Sequence, residues 1–246
     1  MNSSKPIQPI CFCIHRSHGM AKPQTIQDSE LARSLLNHAD TLEVYTSEGD
    51  CAASRLTLVV QGIREFIEKS LHPDSPTLAD VAVLSFSDTV AAIYDFSVPQ
   101  SPREIPALRP DGTSFNLSYA ANTALDHIEN RIRHYKNNNR HYLCPILVIV
   151  GAISGSKDRS EEALRSRVAN RCQSMISGGG LEILVFDTSS RNMDLSPLQF
   201  TVPGAKTSHI HMEQIPEVLK NIASSAAVPQ KGNAEPYILG IFPQGE

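Results

Sequence analysis

No apolar run in this 246-residue sequence is long enough to cross a bilayer. The longest, Ile146 to Ile153, falls far short of the roughly 20 residues a spanning helix needs. The run Ile10 to Ile14 is equally too short for a signal-peptide core, so the sequence leads to the expectation of a soluble, cytoplasmic protein. Charge of one sign is missing as well. Lysine and arginine number 22 against 26 aspartates and glutamates, and a net charge of -4 argues against a polyanion binder. The five cysteines lack the regular spacing of a disulfide framework, which points to a reducing compartment. Aromatics are sparse around the main basic stretch, Arg131, Arg133, His134, Lys136, Arg140 and His141, where only Tyr135 and Tyr142 are available for base stacking. That stretch reads as the solvated C-terminal end of a helix, where cations are favoured, and no nucleic-acid partner is expected.

What is present is a rhythm. Short continuous apolar runs at Ile10 to Ile14, Val81 to Phe86, Val90 to Phe96, Ile146 to Val150 and Leu181 to Phe186, with a weaker one near Thr207 to Met212, read as buried strands. Between them lie stripes at helical spacing: Leu56, Val59, Val60, Ile63, Phe66 and Ile67, then Leu117, Ala121, Ala124, Leu125, Ile128, Ile132 and Tyr135. Leu164, Val168, Cys172, Met175 and Ile176 form a third, stopped by Gly178 to Gly180, and Ile215, Val218, Leu219 and Ile222 a fourth. The pattern predicts an α/β, doubly wound, Rossmann-like three-layer sandwich, with a six-stranded, mostly parallel sheet. Its antiparallel edge strand, Val90 to Phe96, is reached by the tight Ser87 to Thr89 connection.

Two segments break this rhythm within an expected domain over 1–226. Residues 21–54, between the first strand and the first long helix, exceed the roughly 2 to 6 residues of an ordinary βα loop. This insert carries two basic against six acidic residues, hence the whole net charge of -4, and reads as a solvated helical excursion around Ser29 to His38 or as an acidic partner surface or lid. The tail 227–246 contains prolines and the apolar island Tyr237 to Phe242, the composition of a linker with a short docking segment.

In an open α/β sheet, ligands bind beyond the carboxyl ends of the strands where strand order reverses. Three loops should meet there: His15-Arg16-Ser17-His18-Gly19 after the first strand, Asp111-Gly112-Thr113-Ser114 before the long helix, and Gly151 to Ser156, including Ser154, after the fourth strand. Familiar catalytic motifs fail on inspection. The first loop imitates a Gly-x-Ser-x-Gly elbow, but its first glycine is His15 and no helix is signalled directly after it. Gly151 to Lys157 lacks the Gly-Lys frame of a phosphate loop. His15 and His18 with Cys13 have zinc-like chemistry, yet no fourth ligand is apparent. No paired carboxylates stand at catalytic spacing.

The positions His15, Ser17, Gly19 and Met20 after the first strand, the Gly112-Thr113 pair before a long helix, and Gly151 after the fourth strand together resemble the von Willebrand factor type A (vWA) family, most closely its cytosolic bacterial branch associated with tellurium resistance and stress. In that family the first strand ends in Asp-x-Ser-x-Ser, a threonine follows a glycine before a long helix, and an aspartate follows the fourth strand. Here the two carboxylate positions fall on His15 and Gly151. The resemblance implies a metal-ion-dependent adhesion site, but Mg²⁺ needs oxygen ligands and compensating negative charge, and Arg16 adds a repelling cation. The expectation is therefore a non-catalytic interaction module without metal or cofactor. Its protein partner is expected to meet His15, Arg16, Ser17, His18, Gly19, Asp111, Thr113, Ser114, Gly151 and Ser154, through an acidic side chain held by Arg16 or a protonated histidine. The alternatives are a hydrolase using Ser17 with a histidine, and a metal site that recruits Asp111.

Overall fold

The run around Phe12 forms the centre of the structure. In a computed structural model that describes residues 5–47, 50–153, 158–189 and 201–222, strand β1 (Ile7–His15) is buried along its whole length. Its residues alternate between two cores. Ile10, Phe12 and Ile14 face one apolar cluster, and Cys11 and Cys13 face the other, which is why this strand is apolar on both sides.

The insert comes next in the chain: α1 (His18–Ala21), β2 (Gln24–Thr25), α2 (Ser29–Leu36), β3 (Val44–Ser47) and β4 (Asp50–Ala53). The frame then runs α3 (Arg55–Leu71), β5 (Leu78–Phe86), β6 (Val90–Ser97), α4 (Leu117–Asn137), β7 (Ile146–Gly151), α5 (Glu162–Ser177), β8 (Glu182–Asp187), β9 (Lys206–His209) and a short α6 (Ile215–Lys220). The main sheet has the order β6-β5-β1-β7-β8-β9. All of its pairings are parallel except β5 with β6. The doubly wound sheet and its antiparallel edge strand are thus as the apolar runs predict. The order reverses between β1 and β7.

Helix α3 starts at an N-cap, Ser54, whose side chain accepts the Thr57 N–H. Packing does more than the cap, which contributes about 1 kcal/mol. Leu56, Val59, Val60, Ile63, Phe66 and Ile67 are all buried, and each large one contributes roughly 1.5–3 kcal/mol. With Ile215 and Leu219 of α6 they cover one face of the sheet. Helices α4 and α5 cover the other through Leu117, Leu125, Ile128, Val168 and Cys172. None of the helices among the described residues is long and apolar enough to cross a membrane.

The insert holds the expected helix, with Asp28 capping it by accepting from the N–H groups of Glu30 and Leu31. It also holds a three-stranded sheet, β2-β4-β3, which the sequence reading did not foresee, since strands of two to four residues leave no readable period. Ile26, Leu35, Leu42, Cys51 and Ala53 bury the unit in the α3 core. Its polar ties to the frame include Arg64 donating to the Thr41 hydroxyl and Gln61 donating to that of Ser34. The tail 227–246 and Ser154 lie outside the described residues.

One basic residue is not where the sequence put it. Arg131 is no solvated helix-end cation. Its Nε and guanidinium NH2 each lie 2.7 Å from Oδ2 of Asp80, a fully buried carboxylate at the start of β5 that also accepts from the Tyr135 hydroxyl. A buried carboxylate needs such partners, because burial without them costs several kcal/mol. Burial and the Asp80 charge push the Tyr135 hydroxyl pKa upward, so that group stays a proton donor.

Candidate functional site

The first two loops are stitched together by backbone at the carboxyl end of β1. The Arg16 N–H donates to the Phe86 carbonyl at 2.9 Å, Asp111 N–H to the Arg16 carbonyl at 2.8 Å, and His18 N–H to the Gly112 carbonyl at 3.2 Å. Gly112 has a φ of 73°, in the left-handed region, and a Cβ there would sit 1.8 Å from an Asp88 carboxylate oxygen. The Gly-Thr pair read from the sequence is therefore a turn that only glycine can make.

His15, the last residue of β1, does not face solvent. It is 3% exposed, stacks on Phe86 with ring centroids 5.2 Å apart, and meets Phe115 edge-on at 5.1 Å. Its Nε2 lies 3.3 Å from the Ser114 carbonyl, which can only accept. Burial pushes the imidazole pKa below its ordinary value, against the opposing pull of the Ser114 and Ala152 carbonyls. On the far side of the crevice, Gly151 is buried directly against it. A Cβ on Gly151 would stand 2.4 Å from the His15 Cβ, a separation that real Cβ atoms do not reach. His15 and Gly151 are thus one packing unit, and neither presents a side chain to a partner.

Arg16 is 17% exposed and already engaged. Its guanidinium lies 2.7 Å from Asp111 Oδ2, which also accepts from the Thr89 hydroxyl at 3.0 Å. Asp111 is therefore paired with a cation in this structure. Ser17, at the start of α1, is buried and makes no hydrogen bond to an imidazole among the described residues. His18, Gly19 and Thr113 are exposed, and Ser114 is half-buried.

Three residues on this edge escaped the sequence reading. Asp88, in the β5-β6 turn, accepts the Ser114 N–H at 2.9 Å. The Ser114 hydroxyl and backbone, then the Thr113 backbone and the Arg159 charge, hold its carboxyl below the usual range. Arg159 is exposed and donates to the Ser114 hydroxyl at 3.3 Å. Asp187, paired in register with Gly151, is fully buried and accepts from the Ile153 N–H at 2.8 Å and the Ser189 hydroxyl at 2.6 Å, while His209 Nδ1 stands 3.1 Å away. The Ser87-Asp88-Thr89 turn was a signal for Asp88. For Asp187 only the end of an apolar run was available. Among the described residues, no group of three or more His, Cys, Asp or Glu side chains is arranged to hold a metal ion.

No family model matches the sequence, and no curated protein does. Among solved structures, the chain is similar to the vWF domain of the type V pili tip protein Mfa5 from Porphyromonas gingivalis. The two share 9% identity with a TM-score of 0.55, over 95% of this chain and 99% of that one. This is a vWA-like fold. The chain is also similar to proximal thread matrix protein 1 from the mussel byssus, at 10% identity and a TM-score of 0.52 over 90% of its own length. It spans about half of that protein, 46%. At such identities the likeness concerns the fold, and the chemistry rests on the residues described above.

Proposed function

We propose that this chain is a non-catalytic, vWA-like protein-interaction module whose metal site has decayed, acting in the cytoplasm and related to the tellurium-resistance branch that its motifs resemble. The observation that carries the reading is the His15 ring packed against Gly151 and between Phe86 and Phe115, in the crevice where the strand order reverses. The residues present do not fit the Mg²⁺ that the fold family implies. One carboxylate position is a buried imidazole whose basicity is lowered, and the other has neither a side chain nor room for one. Asp111, the candidate substitute, neutralises Arg16. The acids that remain on this edge are already engaged, Asp88 by the Ser114 amide and Asp187 by the Ile153 amide and the Ser189 hydroxyl, and among the described residues no three such side chains converge on one point.

Recognition then falls to the exposed rim above the sealed crevice. Arg16 serves the rim from within by fixing Asp111, so the direct contact from Arg16 to a partner's acid gives way to contacts from His18, Thr113 and Arg159. An acidic side chain on the partner would meet the last of these as a charge-assisted pair. Affinity capture with the full chain, followed by chemical crosslinking, tests this. Crosslinks at the 16–19 and 111–114 loops, binding indifferent to EDTA, and loss of the partner by His18→Glu with Arg159→Glu are the expected results. Release by EDTA, or full binding by the charge-reversed variant, overturns the proposal.

A further inference from the structure

The insert offers a second place for a partner, on different grounds and independent of the loop reading. Among the described residues, strand β3 pairs only with β4, in the register Val44 with Ala53, Tyr45 with Ala52, Thr46 with Cys51 and Ser47 with Asp50. Just two residues connect the strands, so the closing pair Ser47 and Asp50 must exchange its backbone hydrogen bonds. Alternation then makes Tyr45 and Ala52 the next bonded pair. The N–H and C=O groups of Val44 and Thr46 therefore point away from β4. Among the described residues nothing bonds to the Val44 or Thr46 amide.

An open edge of this kind normally carries a guard, such as proline, lysine, a bulge or a covering element. The other edges among the described residues have one. Strand β6 is irregular against β5, with register shifts between Val81 and Leu84, and its Asp95 is occupied by His127 at 3.3 Å. Strand β9 begins with Lys206, and β2 is two residues long and follows Pro23. Strand β3, twice as long as β2 at four residues, has no proline, no lysine and no break in register, and its Tyr45 is 50% exposed. The charge around it is of one sign. Glu43 precedes the strand, Asp50 lies across from its last residue on β4, and neither makes an ion pair among the described residues, within an insert that carries six acids against two bases.

From this unguarded edge and its acidic flanks, we infer that β3 takes up an extended, basic segment of a protein partner as an added strand. Main-chain hydrogen bonds to Val44 and Thr46 supply the docking, and Glu43 and Asp50 select lysine or arginine. A second copy of this chain is disfavoured as occupant, because it would bring the same acidic flanks together.

The test is fluorescence anisotropy of the full chain with a labelled eight-residue peptide of alternating lysine and valine. Three controls accompany it: the glutamate counterpart, the basic peptide N-methylated at alternate residues, and Thr46→Pro against Thr46→Val. The basic peptide should bind and weaken as salt is raised, while the acidic peptide should not bind. N-methylation and Thr46→Pro should each weaken binding about tenfold or more, the scale of a strand hydrogen bond and its unsatisfied partner, whereas Thr46→Val stays near wild type. The methylated peptide reports on the edge even if Thr46→Pro does not fold. No binding by the basic peptide, equal binding by the acidic or methylated one, or unchanged affinity in a folded Thr46→Pro overturns the inference. Self-association that Thr46→Pro abolishes would make a second copy the occupant and equally defeat it.

Discussion

The crevice between β1 and β7 and the outer edge of β3 stand in opposite conditions. In this fold the crevice is the place for a ligand, yet here it is filled by His15, roofed by Phe86 and Phe115, and closed by Gly151. The β3 edge, which most proteins protect, is left with unpaired backbone groups among the described residues. In the crevice, aromatic rings and a glycine backbone pack against a buried imidazole. An open ladder edge, by contrast, keeps polar groups whose hydrogen bonds now go to water and can be exchanged for a partner's. Binding is accordingly proposed on a rim and an edge and not in the central crevice.

The largest effect should come from breaking the sealed side. Gly151→Ala places a methyl 2.4 Å from the His15 Cβ, and in a rigid sheet such overpacking should cost about 3 kcal/mol or more of stability. Because the clash is with the Cβ, His15→Ala should not relieve it, whereas His15→Gly should. A double-mutant cycle on denaturant midpoints measures this, and additive costs in the His15→Gly background would show that the two residues are not coupled.

On the open side, the alternation of backbone bonds separates neighbouring positions. Tyr45→Pro removes an N–H that faces β4 and should cost about 1–3 kcal/mol, while Thr46→Pro removes one that faces solvent and should cost less than about 1 kcal/mol. Thermal melts of the pair decide it; a reversed order would place the free edge on the wrong residues. A smaller loss, about 1 kcal/mol, is expected for Asp111→Asn, since the 2.7 Å pair with Arg16 is half-screened on the Asp111 side. The loss should shrink in high salt.

Next comes pH. The folded pKa of His15 lies below its ordinary 6.5, so the unfolded chain takes up this proton first. The stability due to neutral His15 is complete above pH 6.5 and is lost as the pH falls through 6.5 toward the folded value. In His15→Phe, which keeps an aromatic stack without a titrating group, stability should fall less between about pH 7 and 5 than in wild type. Equal slopes would mean that the crevice admits water or charge. The smallest expected effect is none: Mg²⁺ should leave the melting temperature where EDTA leaves it. A native site of micromolar affinity would add roughly 4 kcal/mol at millimolar metal, so even a weak one would be visible.

The frame was legible because its signals are periodic. A strand buried on both faces, as β1 is, reads as a continuous apolar run, and α3 and α4 show their buried stripes residue by residue. The same reading located the loops His15 to Gly19 and Asp111 to Ser114, which the structure brings together by backbone hydrogen bonds. It missed β2, β3 and β4, whose two to four residues carry no period, and it treated Arg131 as a solvated cation because nothing local connects it to Asp80, 51 positions away.

What the sequence by itself determined is the α/β alternation, the antiparallel edge and the place of the insert, since each follows from local hydrophobic period and chain length. Tertiary structure alone decided the state of the side chains at the sheet edge. Whether His15 is a solvated base or a buried wedge depends on Phe86, Phe115 and Gly151, which lie 71 to 136 positions further along the chain and meet it only when the sheet forms. Whether Thr46 N–H is bonded or open depends on hairpin register, which a composition of short polar strands does not encode. Burial and hydrogen-bond pairing are properties of neighbours in space, and those neighbours are assigned by the fold.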